Sequence, residues 1–239
     1  MTHLGPVTAV VLGGGAGSRF GSETPKQFFD LAGRPMFHHC LEALSNSPEV
    51  DAIVLVLPAS GDEFESYEGP KMSAVVSGGA TRQDSLSEGL VCIAEEVAVV
   101  LVHDAARPLL TPNLVSKVLA GLGPGVDGAI AALPVEDALK EVSADGLLLG
   151  GRPRAGVWRA QTPQAFIRDV LEDALVRSQA EGRYADDCSE MVIRAGGVVR
   201  AVPGDPANVK VTTAADLRLC ESLLAGKQPQ TSGSEVDRS

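Results

Sequence analysis

Short apolar runs rich in β-branched residues recur along the chain, separated by segments with a helical repeat. VTAVVL (7–12), AIVLVLP (52–58), SAVVSG (73–78), AVVLVHDA (98–105) and GAIAALPV (128–135) read as strands. They are apolar almost throughout instead of alternating, which is the pattern of strands covered on both faces in a parallel sheet. A helix is expected from Pro35 to about Asn46, with the proline at a tolerated first position. A second is expected from Asp84 to Glu96, because Leu86, Leu90, Ile93 and Val97 fall at helical spacing, and Pro112 opens a third. This βαβ rhythm predicts an α/β fold with a doubly wound, mostly parallel sheet, helices on both faces, and ligands at the carboxyl ends of the strands.

The rhythm breaks after Pro134. Residues 136–161 hold an Asp-Gly step between short alternating stretches, which predicts a β-hairpin or arm projecting from the sheet. AFIRDVLEDALVRSQAEG (165–182) restores a helix, with Phe166, Val170, Ala174 and Leu175 on one face. GVVRAVP (197–203) and NVKVT (208–212) read as late strands, and TTAADLRLCESLLAG (212–226) as a helix with a threonine cap and a closing glycine. The polar tail, 227–239, has nothing to bury and is expected to be disordered. The expectation is one domain over 1–226 carrying the arm.

Composition narrows the partners. Of 239 residues, 31 are Asp or Glu and 20 are Lys or Arg, a net charge of -11, which argues against nucleic acid or an anionic membrane surface as a partner. Cations that recur inside motifs of such an acidic chain therefore stand out as local anion sites. Cys40, Cys92, Cys188 and Cys220 form no CxxC pair, which suits reduced thiols. No run is long enough to span a bilayer, and MTHLGPV lacks the cationic start of a signal peptide, so a cytoplasmic protein is expected.

Three stretches carry chemistry. GGGAGSRFGSETPKQF (13–28) follows the first strand, and its glycines let backbone N–H groups approach a ligand closely. GSRFG lacks the Lys-Ser/Thr of a P-loop, and the dinucleotide fingerprint fails because Phe20 stands in place of its third glycine. What remains is a loop bearing Arg19 and Lys26, two spaced cations that suit an extended polyphosphate or are simply solvated. HDAARP (103–108) follows the fourth strand: Asp104 can hold a hydrated Mg2+ or orient a substrate hydroxyl, and Arg107 can grip a phosphate by two parallel bonds. The alternative is a buried Asp–Arg pair capping the next helix. His103 is expected to be structural, and His38 and His39 have no partner pattern. In GGATRQDS (78–85), Gly78 and Gly79 expose backbone suited to a base edge, and the Ser85 hydroxyl serves a ligand or a helix cap.

Taken in order, LGGGAGSRFGSETPKQF, GGATRQDS, HDAARP, RAGVWRAQTPQAF, YADDCSEM and NVKVTT span almost the whole chain. Together they resemble the 2-C-methyl-D-erythritol 4-phosphate cytidylyltransferases. The resemblance implies a Rossmann-like nucleotidyltransferase fold with a projecting β-arm, CTP and a sugar-alcohol phosphate as substrates, Mg2+ or another divalent cation, and a homodimer in which each arm completes the partner's site. It implies catalytic roles for Arg19, Lys26, Arg154 and Lys210, with Arg154 on the acceptor phosphate. It assigns Gly13, Gly14, Gly15, Gly79, Ala80 and Ser85 to the nucleotide. Asp104, Ala105, Arg107 and Thr162 would line the rest of the site, Asp104 on the metal side directly or through water.

The chain departs from the family at several points. Gly13 and Gly14 stand where alanines are usual, Ala80 where relatives can have an acid, and Ala138 and Ala185 where threonines are usual. The last two leave the acceptor side less well marked. Ribitol 5-phosphate is the rival acceptor, against which HDAARP speaks where that group is expected to read HDAVRP. A non-catalytic CTP-binding relative is the rival of another class, against which the retained cations speak.

Overall fold

The six residues Val7–Leu12 form β1, all of them buried. The computed structural model describes residues 5–14, 26–58 and 68–226. Two-residue strands β2 (Asp30–Leu31) and β3 (Arg34–Pro35) make a tight hairpin whose turn residues, Ala32 and Gly33, have φ 54° and 85°. That is the handedness two-residue hairpins favour. Helix α1 (Met36–Ser45) begins just after Pro35, which serves as its N-cap with φ -52° and ψ 137°. Strands β4 (Ala52–Leu57) and β5 (Met72–Ser77) lead to α2 (Arg82–Val91), which opens on a reciprocal capping box between Thr81 and Asp84. That box starts the helix two residues before the expected Asp84. The helix stops at Val91, and Ile93 and Val97 are buried from turns instead.

Strand β6 (Val99–Asp104) is buried throughout. Helix α3 (Pro112–Leu119) follows, with Thr111 as its cap, and then β7 (Gly128–Pro134). The arm is a hairpin of β8 (Leu139–Val142) and β9 (Leu148–Arg152), closed around Asp145-Gly146, with Gly146 at φ 89°. Every residue of β9 is exposed.

The next strand, β10 (Trp158–Ile167), overturns the expectation of a helix from Ala165: the helix, α4 (Arg168–Ala180), begins three residues later. Phe166 belongs to the strand, opposite Val100 and Gly128, yet it packs on the same core as Leu171, Ala174 and Leu175 of α4. A strand residue and a helix face buried in one cluster mimic a single helical stripe. Helix α5 (Cys188–Arg194), β11 (Val199–Pro203) and α6 (Ala214–Ala225) complete the order. NVKVT is not a strand: residues 208–212 join no ladder, and the Val211 N–H bonds the Ala106 carbonyl in the turn after β6.

Seven strands form one sheet in the order β11-β7-β10-β6-β1-β4-β5. All pairs are parallel except those of β10, which runs antiparallel to both β6 and β7. Alternate strand residues feed two cores, as the period of a strand requires. Val7, Ala9 and Val11 join Phe37, Leu41 and Val115 on one face; Val10 and Leu12 join Leu86, Leu171 and Met191 on the other. Helices thus cover both faces, and the carboxyl ends of β1, β4, β5 and β6 open along one rim.

Candidate active site

The rim begins where β1 and β5 end on either side of β4. The Gly13 N–H donates to the Val56 carbonyl at 2.7 Å and the Gly78 N–H to the Leu57 carbonyl at 2.6 Å, so two glycine turns leave the sheet side by side. They approach so closely that a Cβ on Gly14 would lie 2.9 Å from Ser85 Oγ, and one on Gly79 2.3 Å from Asp84 Cβ. Ser85 is buried, and its hydroxyl donates to the Thr81 carbonyl at 2.9 Å, which leaves its lone pairs for other contacts. Above these turns lies a cavity of about 440 Å³. Gly13, Gly14, Gly79, Ala80 and Ser85 line it together with Asp104, Ala105 and Lys210.

Asp104 closes β6 and faces two cations. Lys210 Nζ lies 2.7 Å from its Oδ2, and an Arg82 guanidinium nitrogen lies 3.4 Å from its Oδ1. Burial alone would raise this carboxyl, but Arg82 and Lys210 outweigh burial and hold it well below the usual carboxylate range. Arg82 also points a nitrogen at Cys188 Sγ, 3.2 Å away, which fixes the guanidinium between α2 and α5. The result is a carboxylate locked in the ionised state with a half-exposed lysine at the cavity mouth.

Behind this layer sits a buried relay of hydrogen bonds. The Asp104 N–H donates to Thr162 Oγ1 at 3.0 Å, and that hydroxyl lies 3.2 Å from His103 Nδ1. Nε2 of His103 lies 3.1 Å from the Arg107 carbonyl and must carry the proton there, so Nδ1 accepts from Thr162. Burial pushes His103 down to about 4, and the ring is a neutral strut at pH 7, as expected. Thr162 therefore supports Asp104 from behind instead of lining the cavity. Arg107 is turned inward as well: it donates to the carbonyls of Asn208 (2.8 Å) and Ala160 (3.4 Å). Of its two sequence readings, a phosphate grip and a buried Asp–Arg pair capping the next helix, neither describes what is seen: the guanidinium is buried but braces carbonyls, Asp104 pairs with Arg82 and Lys210, and Thr111 caps α3.

The other expected residues are distributed unevenly. Arg19 and Gly15 lie outside the described residues; Lys26 opens a short 3-10 helix, Lys26–Phe28, but its side chain lies outside them too. Arg154 is exposed at the base of the arm, where it donates to the Glu136 carbonyl, and it does not line the cavity of its own chain. Sequence reasoning missed Arg82, Thr81 and Gln27, all of which line the cavity. The Thr-x-x-Asp pattern of the capping box was the available signal for the first two, since it fixes the start of α2 at the rim. Gln27 is buried with its Nε2 unpartnered, and nothing in the sequence marked it.

Backbone amides, a locked carboxylate and two cations at the carboxyl ends of parallel strands define a phosphate-handling α/β enzyme of the nucleotide-binding kind. The particular family follows from comparison with known proteins. The model of the 2-C-methyl-D-erythritol 4-phosphate cytidylyltransferase family matches residues 7–226, and the chain belongs to that family. A protein of that name from Syntrophus aciditrophicus is 38% identical over 224 residues, covering 91% of this chain and 95% of its own. One from Burkholderia multivorans is 40% identical over 218 residues, covering 88% and 92%. The crystal structure of the Thermus thermophilus protein of the same name superposes with a TM-score of 0.78 at 29% identity, over 92% of this chain and 99% of that one.

Proposed function

We propose that the protein transfers the cytidylyl group of CTP to 2-C-methyl-D-erythritol 4-phosphate. A phosphate oxygen of the acceptor attacks the α-phosphorus; the bond from that phosphorus to the bridging oxygen breaks, and pyrophosphate leaves. The nucleophile is already anionic, because the second ionisation of a phosphate monoester falls near pH 6, so no general base is required. Positioning and charge stabilisation carry the rate, as in phosphoryl transfers generally. The observation that supports this most directly is the pairing of Lys210 with Asp104 in the cavity that the glycine turns also line. Lys210 leans on Asp104; with triphosphate bound it would reach the α-phosphate, and Arg19 and Lys26 would act on the same charge. Gly13, Gly14, Gly79 and Ser85 hold the cytosine and ribose.

Magnesium suits this donor set. Asp104 is the one carboxylate on the cavity wall among the described residues, and Mg2+ is ordinarily held by one or two carboxylates together with substrate phosphates. Mg2+, or another divalent cation, would neutralise triphosphate charge on the Asp104 side, directly or through water.

The arm supports a second element of the proposal, a homodimer with arm exchange. Leu147, Leu148 and Leu149 are 64%, 70% and 67% exposed and Trp158 is half-exposed, an apolar surface that an isolated chain leaves in water. Burying it against a second copy would carry Arg154 to the partner's cavity, onto the acceptor phosphate. No described helix is long and apolar enough to cross a membrane, and we place the enzyme in the cytoplasm.

Pyrophosphate release tests the proposal. With CTP and Mg2+, methylerythritol phosphate should give rapid turnover and ribitol 5-phosphate little. Preference for ribitol 5-phosphate would overturn the acceptor, and CTP binding without turnover of either would overturn the catalytic reading.

A further inference from the structure

Lys210 lies in a segment with no strand ladder to hold it, yet its ammonium is placed within 2.7 Å of Asp104. Two buried side-chain amides provide the hold. Gln161 sits where the β10–β7 register shifts, so its side chain is released from the sheet towards residues 204–208. Its Nε2 donates to the Asp205 carbonyl at 3.0 Å and to the Asn208 carbonyl at 3.3 Å, and its Oε1 accepts from the Asp205 N–H at 3.1 Å. The chain closes directly over this amide: a Cβ on Gly204 would lie 2.3 Å from Gln161 Oε1. Asn208, fully buried, donates from Nδ2 to the Thr162 carbonyl at 2.7 Å. Thr162 is the residue whose hydroxyl holds the Asp104 N–H, so both members of the ion pair are anchored to one residue. On the far side of Lys210, the Val211 N–H donates to the Ala106 carbonyl at 2.8 Å.

Neither amide lines the cavity. Both are nonetheless buried, and both tie the N-terminal side of the loop that carries Lys210, residues 205–208, to β10. A lysine stem is long and flexible, and the location of its charge depends on where its Cα is fixed; an error of about 1 Å at a reacting group can cost up to a hundredfold. We infer that Gln161 and Asn208 are positioning residues for Lys210, which set where its ammonium meets the phosphates. The inference rests on the reading of Lys210 as a cation acting on the transferred phosphate.

Steady-state kinetics of Asn208→Ala and Gln161→Met, each made in the natural chain and in Lys210→Ala, test it. In the natural background each should lower kcat about tenfold while KM for CTP stays within about twofold, because the base-binding turns are untouched. In Lys210→Ala neither should lower kcat further, since residues acting through one group are non-additive with its removal. Equal losses in both backgrounds, or a loss confined to KM, would overturn the inference while leaving the reading of Lys210 standing. Lys210→Ala with natural turnover would overturn both. Should Asn208→Ala fail to fold, Gln161→Met keeps the Asn208 bonds to Thr162 and Arg107 and decides alone.

Discussion

Around the carboxyl end of β6, His103 and Asp104 are 0% and 8% exposed, and Thr162, itself buried, bonds both. In the arm, three consecutive leucines are mostly exposed, and Arg154 has a main-chain carbonyl for company. Both regions present a cation that the proposed chemistry uses. Lys210 is placed against the buried Asp104, whereas Arg154 follows the apolar hairpin and is exposed beside the Glu136 carbonyl. If the arm completes a partner's site as proposed, one half of the site is preorganised by folding and the other depends on association, so the two halves should fail differently when altered.

Lys210→Ala gives the largest effect. Loss of a cation that stabilises the transition state costs on the order of 3 kcal/mol, about a hundredfold in kcat. The thermal midpoint should fall modestly, because the buried Asp104 carboxylate loses one of its two counter-charges while Arg82 remains. Unchanged turnover by pyrophosphate release would remove Lys210 from the mechanism.

Arg154→Ala should cost less, roughly tenfold and chiefly in KM for the acceptor, since a solvated arginine–phosphate contact is worth about 1–2 kcal/mol. A mixture sharpens the comparison. If arms exchange, a heterodimer of Lys210→Ala and Arg154→Ala contains one intact site and one doubly altered site. Random reassociation makes half the dimers mixed, so about a quarter of the natural activity should return. No recovery would mean that each arm serves its own chain. Smaller still, Leu148→Ser should weaken self-association about fivefold, near 1 kcal/mol for one exposed leucine, as read by sedimentation at dilute concentrations.

The preorganised half was also the more legible in the sequence. Uninterrupted apolar runs announced β1, β4 and β6 because burial on both faces leaves no alternation. The position of Asp104 followed from the end of such a run. What the sequence concealed depended on contacts distant along the chain. Arg107 resembles a phosphate ligand until Asn208 and Ala160 are seen to occupy it from 101 and 53 residues away. NVKVT has strand composition, but its polar backbone is taken up by side chains and by Ala106, so no ladder forms. β10 was hidden because Phe166 shares a core with the helix that follows it. The arm was visible only as a break in rhythm, and the role proposed for it would depend on a second chain.

The smallest expected effect tests whether the preorganised half tolerates a change the family itself suggests. Alanine is usual in the family where Gly14 stands, yet in this chain a Cβ there would meet Ser85 Oγ at 2.9 Å and Gly78 Cα at 3.4 Å. Two terms compete. The methyl restricts the unfolded chain and favours folding by about 0.4–1 kcal/mol. Against that, the Ser85 hydroxyl, held by the Thr81 carbonyl, must rotate away, and the wall proposed to face cytosine moves with it. Gly14→Ala should therefore raise KM for CTP two- to threefold, about 0.5 kcal/mol, while leaving kcat unchanged and the thermal midpoint level or slightly raised. The increase should vanish in Ser85→Ala, where no oxygen stands in the way. An equal penalty in both backgrounds would mean that the methyl meets the nucleotide itself, and that this turn closes on its ligand more tightly than Ser85 alone requires.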